Sequence, residues 1–275
     1  MSLFLCPKCG APLEQTDSVY VCPEHHSYDR AKEGYVHLLP VHKMHAKVPG
    51  DSKEMVASRR TFLESGGYEM FREKLVALVL EAVEEQQSPT ILDAGCGEGY
   101  YFRGVEEGLR SAGKTPCLMG FDISKFAVKA AAKRQKTAEF AVASIFHIPV
   151  ADNSVDCLIN VFAPMVEAEF CRVLKSGGTM IFAVPTERHL YGLKEVLYDE
   201  PYENAYKETD YEGFDFVKRE AVTGTLTLTD PEQIQNLFRM TPYYWKTPVE
   251  GSRKLAEATV LQTEIGFDFL VYRKK

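Results

Sequence analysis

The sequence predicts an α/β fold on a largely parallel sheet, preceded by a small N-terminal module. Three observations carry that prediction. An apolar run ends in an acid, Ile91-Leu92-Asp93, and Ala94-Gly95-Cys96-Gly97-Glu98-Gly99-Tyr100 then opens onto a helical pattern. A second apolar run, Cys117-Leu118-Met119-Gly120-Phe121, ends in Asp122, 29 residues past Asp93. That interval is about one helix plus one strand, the length of a βαβ unit. Far upstream, Cys6-Pro7-Lys8-Cys9 and Cys22-Pro23-Glu24-His25-His26 read as two metal-binding knuckles.

The remaining elements follow in the order such a sheet requires. Residues 50–63 carry Met55, Phe62 and Leu63 behind the cap candidate Ser52 and predict a helix. Phe71, Leu75, Leu78, Val79 and Ala82 predict a second at helical spacing. After Asp122, residues 138–143 read as a third strand and 149–154 as a turn. The nearly continuous apolar run 155–162 suits a buried parallel strand. Leu174-Lys175-Ser176-Gly177-Gly178 is expected to end a helix ahead of a strand at 179–184.

Glycine spacing selects the cofactor. Dinucleotide folds use Gly-x-Gly-x-x-Gly so that a pyrophosphate can rest on the helix N-terminus, and a P-loop ends in Gly-Lys-Ser/Thr. Here the pattern is Asp-x-Gly-x-Gly-x-Gly, with an acid where a phosphate would be repelled. A cofactor without phosphate and with a cationic amino-acid tail fits better. The loop resembles that of the Rossmann-like, class I S-adenosylmethionine (SAM)-dependent methyltransferases. On that reading Asp93, Gly95, Gly97, Glu98 and Gly99 hold the cofactor, and Asp122 grips its ribose hydroxyls.

In the N-terminal module the first cysteine pair has two residues between its members, and the second knuckle begins after twelve more. Tetrahedral zinc needs thiolate or imidazole donors converging at about 2.0–2.3 Å, which paired ligands on tight turns provide. Cys6, Cys9 and Cys22 are three of the ligands. Spacing leaves the fourth open between His25 and His26. With all four positions closed by side chains the zinc is structural. About 35 residues cannot bury a sufficient core unaided, so the metal also answers a folding need. Val19-Tyr20-Val21 alternates like a short strand.

Composition bounds the rest. The 275 residues suit one large domain and one small one, and no apolar stretch is long enough to span a membrane. Seven cysteines and no recognisable signal segment suggest a reducing cytoplasm. Cys117, Cys157 and Cys171 read as small core residues, and Cys96 as a tolerated small side chain in the loop. Net charge is −7 but segregated. Residues 198–215 hold seven acids against Lys207 alone, whereas 41–60 hold Lys43, Lys47, Lys53, Arg59 and Arg60 with His42 and His45. That basic stretch can meet a polyanion, and Arg59-Arg60 read equally as a solvated face or as phosphate contacts.

Longer motifs narrow the family. Cys6-Pro7-x-Cys9…Cys22-Pro23-x-x-His26 is followed by Ala31-Lys32-Glu33-Gly34-Tyr35-Val36-x-Leu38-Leu39-Pro40. Then come Gly50-Asp51-Ser52-x-Glu54-Met55 and Arg59-Arg60-x-Phe62-Leu63. With the glycine loop, Arg188-His189-Leu190 and Met240-Thr241-Pro242, these closely resemble the RlmA-type 23S rRNA guanine-N1 methyltransferases over almost the whole chain. The resemblance implies a zinc-binding domain (1–40), a basic linker with helices (41–87) and a SAM-dependent methyltransferase domain (88–275), acting as a homodimer on N1 of one guanine in a 23S rRNA hairpin. It implies His26 as the fourth zinc ligand, and Tyr68 and His189 as further SAM contacts. By pattern alone Tyr68 reads as a core aromatic and His189 as a surface residue at a helix start.

No motif names a base for the guanine N1 proton. Asn160-Val161-Phe162-Ala163-Pro164 is not the Asn/Asp-Pro-Pro-aromatic turn used on exocyclic amines, and it lacks the cysteine of cytosine-C5 chemistry. Two rival readings are a small-molecule methyltransferase, which leaves the zinc module without a purpose, and a zinc-dependent RNA-binding protein using SAM as a non-catalytic ligand.

Overall fold

The computed structural model describes residues 2–40, 49–205 and 210–275. Close to the N-terminus, β1 (Glu14–Gln15), β2 (Val19–Val21) and β3 (Ser27–Asp29) form a small antiparallel sheet. The alternation of Val19-Tyr20-Val21 places Tyr20 inward and buried, with its neighbours half-buried. Next come β4 (Val36–His37), α1 (Lys53–Glu64) and α2 (Glu69–Ala82). Ser52 caps α1, its hydroxyl accepting the Met55 N–H at 3.2 Å, and the helix buries Met55, Phe62 and Leu63 as its spacing predicts.

The large unit contains β5 (Thr90–Ala94), α3 (Tyr100–Ser111), β6 (Cys117–Asp122), α4 (Lys125–Arg134), β7 (Glu139–Val142), β8 (Val155–Val161), α5 (Glu167–Val173) and β9 (Leu174–Pro185). It is completed by α6 (Tyr191–Leu197), β10 (Phe214–Leu228), α7 (Pro231–Arg239), α8 (Val249–Glu257) and β11 (Leu261–Lys274). Among the described residues eight strands form the main sheet, in the order β10-β11-β9-β8-β5-β6-β7-β4. The pairs from β9 to β4 are parallel, while β11 runs antiparallel to β9 and to β10. From β5 the chain steps outward to β6 and β7, then returns to β8 on the other side of β5. That reversal opens a crevice at the strands' C-terminal ends, where open α/β sheets bind ligands.

Two sequence expectations are corrected here. Leu174-Lys175-Ser176-Gly177-Gly178 does not end a helix, because α5 stops at Val173 and β9 has already begun. The glycines serve an irregularity in that strand: between the pairs Val155↔Leu174 and Cys157↔Thr179, β9 carries the extra residues and Gly177 takes φ +73°. Cys117 is exposed rather than buried, since it is the first residue of β6 at the sheet's N-terminal edge, whereas Cys157 is in the core. The antiparallel β10–β11 pair had no counterpart in the sequence patterns.

The two faces of the sheet are covered differently. One is packed by helices, through side chains such as Phe71, Leu75, Phe102 and Val128. The other is roofed by the N-terminal segment over β6 and β7 and by α5 over β8 and β9. Phe4, Leu13, Tyr20, Val36 and Leu38 join Met119, Phe121, Ala141, Ile148 and Val150 in one core. Hydrogen bonds stitch the junction: Leu5 N–H donates to the Pro149 carbonyl at 2.8 Å, the Ser2 hydroxyl to Glu139 at 2.6 Å, and β4 pairs with β7. A segment too short to own a core has become part of a larger one. No helix among the described residues is long and apolar enough to cross a membrane.

Candidate functional site

The glycine loop lies at the crevice. Gly95 and Cys96 N–H groups both donate to the Phe121 carbonyl at 2.9 Å, hooking the loop over the end of β6. Gly95 and Gly97 take φ of +91° and +53°, and Gly99 begins α3 at +85°. Such angles suit glycine. A Cβ on Gly95 would also stand 2.6 Å from that of Ala163, so the loop is closely packed against the exit of β8.

Carboxylates surround this loop. Asp122 accepts the Gly97 N–H at 3.0 Å and the Ser124 N–H at 2.7 Å, which fixes the loop to the β6–α4 turn and leaves further lone pairs on each oxygen. Asp93 is buried, and its Oδ1 has no hydrogen-bond partner. Burial, reinforced by repulsion from Asp122, pushes its carboxyl up to about 8. Glu98 is buried 2.6 Å from Arg134, off the line of a hydrogen bond, so both its oxygens also lack a hydrogen-bonding partner. Burial raises its carboxyl above the usual range, opposed by the Arg134 charge. Buried acceptors without donors are costly. An acidic, phosphate-repelling pocket with unsatisfied carboxylates fits the ammonium and ribose hydroxyls of S-adenosylmethionine.

Tyr68 and His189 meet across the chain, with the hydroxyl 3.3 Å from Nε2. His189 is buried, which corrects its pattern reading as a surface residue: α6 docks against β11, and the Gly266 N–H donates to Nδ1 at 3.1 Å. Burial, together with the Lys194 charge, pushes the imidazole down to about 3, so it is neutral. A neutral ring that accepts at Nδ1 carries its proton on Nε2. It therefore donates to Tyr68, whose own hydroxyl proton remains free to donate to a ligand. Tyr68→Phe should lower SAM affinity by about five- to tenfold, the worth of one net hydrogen bond, and lower the melting temperature by a few degrees, because the buried His189 Nε2–H loses its acceptor. Calorimetric titration checks this, and undiminished binding would remove the phenol from the site.

Sequence reasoning missed three contributors. Arg59 turns inward, forming an ion pair with Asp51 and donating to the Met240 carbonyl at 3.1 Å, while the Asp51 carbonyl accepts from Ser124 beside Asp122. Arg60 stays outside on Glu64. Residues 50–59 thus pack beside the β6–α4 turn that carries Asp122, and the adjacency of two arginines gave no hint that they part. Phe267 of β11 stacks on Phe71 at 3.7 Å and meets Tyr68 edge-on at 5.3 Å. Buried Asn160 pins the loop after β8, accepting the Ala163 N–H and donating to the Pro164 carbonyl. None of these carries a local sequence signal.

At the other centre, Cys6, Cys9, Cys22 and His26 present donor atoms all within 4.8 Å of one another. The Cys9 and Cys22 sulfurs are 3.6 Å apart, and His26 Nδ1 stands 3.6 and 3.4 Å from those of Cys6 and Cys22. A tetrahedron with arms of about 2.3 Å has edges of roughly 3.8 Å, so this donor set fits zinc. Tyr28 hydrogen-bonds the Cys6 sulfur at 3.1 Å. Successive residues, His25 and His26, separate at a turn: His25 takes φ +61° and is exposed, and His26 joins the cluster. Of the basic stretch, residues 41–48, with His42, Lys43, His45 and Lys47, lie outside the described residues, as do Lys207 and Glu208 of the acidic one.

Comparison with known proteins adds the following. Residues 4–47 match the family model described as RlmA, N-terminal, a zinc ribbon, and residues 85–240 match that described as Methyltransferase domain. The 23S rRNA (guanine(748)-N(1))-methyltransferase of Streptomyces fradiae is 32% identical over 92% of this chain and 89% of its own. A Micromonospora griseorubida protein to which 23S rRNA guanine-N(1) methylation is provisionally assigned is 35% identical, over 70% of this chain and 68% of its own. One of Bacillus subtilis, assigned likewise, is 28% identical over 99% of this chain and 98% of its own.

Proposed function

We propose that this chain, which belongs to the 23S rRNA (guanine-N1)-methyltransferase family, methylates N1 of a guanine in a 23S rRNA hairpin. The observation that carries the reading is the presence in one chain of the RlmA-type zinc ribbon and the methyltransferase domain. The cofactor is held by Tyr68, Asp93, Gly95, Gly97, Glu98, Gly99, Asp122 and His189, and the zinc by Cys6, Cys9, Cys22 and His26. The division into 1–40, 41–87 and 88–275, a homodimeric state and a cytoplasmic setting belong to the same proposal.

When bound, SAM supplies a sulfonium methyl group for in-line transfer. Transfer to N1 would leave the sulfur as a neutral thioether, and the N1 proton would depart to a base or along a water path. The work of the protein is positioning and exclusion of solvent. Asp122 holds the glycine loop and the ribose hydroxyls, Asp93 the ammonium, and Tyr68, oriented by His189, donates from the far wall.

The test is labelled-methyl transfer to unmodified 23S rRNA, naked and as assembled subunit, with reverse transcription across the product. N1 lies on the pairing edge, so a single stop at one guanine is expected. Methylation of a small molecule with rRNA untouched would overturn the reading. The two arginines should then separate: Arg60→Ala should weaken RNA binding and flatten its salt dependence with SAM affinity unchanged. Arg59→Ala should weaken SAM several-fold. Equal effects of both on RNA alone would take Arg59 out of the pocket.

A further inference from the structure

Phe162 ends β8 in an unusual state. Its backbone lies in the left-handed region, φ +57°, and the residue is 45% exposed. A bulky residue with positive φ persists only where its surroundings enforce it, and such strain gathers at functional positions. The enforcement is visible. Phe162 N–H donates to the Ala183 carbonyl at 3.2 Å, and the next two residues are clamped by Asn160, through the Ala163 N–H at 3.1 Å and the Pro164 carbonyl at 3.0 Å. Asn160 is itself fully buried.

The ring that results from this strain is supported rather than loose. It meets Phe267 edge-on with centroids 4.4 Å apart and lies 5.9 Å from the His189 ring. The adjoining Ala163 methyl packs directly on Gly95 of the cofactor loop. An aromatic surface is thus fixed beside His189 and Phe267, one residue from the Ala163 methyl that packs on the glycine loop, and is left open to solvent.

We propose that Phe162 is the platform on which the acceptor purine stacks during methyl transfer. The inference deepens the guanine-N1 reading and rests on it. Once N1 has lost its proton, the attacking lone pair lies in the plane of the base, so a partner on the ring face can hold guanine without obstructing the edge that must meet the methyl donor. A base drawn out of an RNA hairpin loses its stacking partners, and an aromatic side chain replaces one of them irrespective of base edges.

Single-turnover methylation of 23S rRNA at saturating SAM tests this, using the full chain. Phe162→Leu should slow transfer at saturating RNA by about ten- to a hundredfold, the usual worth of one base–aromatic contact, with SAM affinity within about threefold. Phe162→Tyr should recover most of the rate. Phe162→Gly suits the left-handed backbone and removes the ring, so it should keep the melting temperature and still be slow. A Leu variant as fast as wild type would overturn the proposal. So would a Tyr variant as slow as Leu, or a loss of rate that merely follows loss of SAM binding or of fold. Wild-type transfer measured in the same assay separates failure of this step from failure of the rRNA reading, since only the latter leaves wild type inactive.

Discussion

Removing zinc should lower the melting temperature of the whole chain, in one transition, by about 10 °C or more. The zinc segment and the large unit share one core. Phe4, Leu13 and Tyr20 are buried against Met119, Phe121, Ile148 and Val150 of the large unit, and β4 extends its sheet. The strands β1 to β3 are two or three residues long and cannot hold those side chains in place by themselves. Once the four ligands part, the roof lifts from that face. Exposing three large apolar side chains costs roughly 5 kcal/mol, and each kcal/mol shifts the midpoint of a chain this size by about 2–4 °C. Calorimetry with and without a chelator, and on His26→Ala, measures it, while His25→Ala should retain both metal and stability. A separate low-temperature transition that leaves the main one unmoved would show that the zinc segment stands apart energetically.

SAM affinity should rise with pH up to about 8, and Asp93→Asn should abolish that rise. In the empty chain burial holds the Asp93 carboxyl near 8. To pair with the cofactor's ammonium it must first lose its proton, which weakens binding tenfold per unit below that value, or by up to about a hundredfold between pH 8 and 6. Stability moves the other way. The folded pKa is raised, so the folded chain keeps a proton that the unfolded chain releases from about pH 4 upward. That contribution is complete at low pH and is lost as pH rises through about 8. The melting temperature of empty wild type should therefore decline relative to Asp93→Asn between pH 5 and 8. His189 runs in the opposite sense at lower pH: its imidazole is neutral in the fold down to about 3, so its contribution is lost as pH falls below its unfolded value of 6.5. A pH-independent SAM dissociation constant would show that Asp93 does not meet a charge.

Much of the frame is legible in the amino-acid sequence. Strands β5 to β8 and helices α1 to α3 follow runs and caps that short-range patterns report, since helix and strand periodicity is local. The glycine loop and the cysteine knuckles were legible for the same reason: each packs its chemistry into a few consecutive residues. Other features depend on partners distant in sequence. His189 was misread because its burial comes from Gly266 and Phe267 on a strand more than seventy residues later, and Cys117 because an edge and a core position look alike in an apolar run.

The sequence by itself therefore determined the strand–glycine–helix frame, the kind of cofactor it admits and three members of the Cys/His cluster, because covalent neighbours set them. Tertiary structure decided which of two adjacent histidines joins the cysteine cluster and which of two adjacent arginines turns inward to Asp51 and Met240. It also decided that Phe162 is held open against Phe267, and that the zinc segment roofs the sheet. Side-chain direction at such positions is a contest between solvent and packing partners, and those partners are brought near only when the chain has closed on itself.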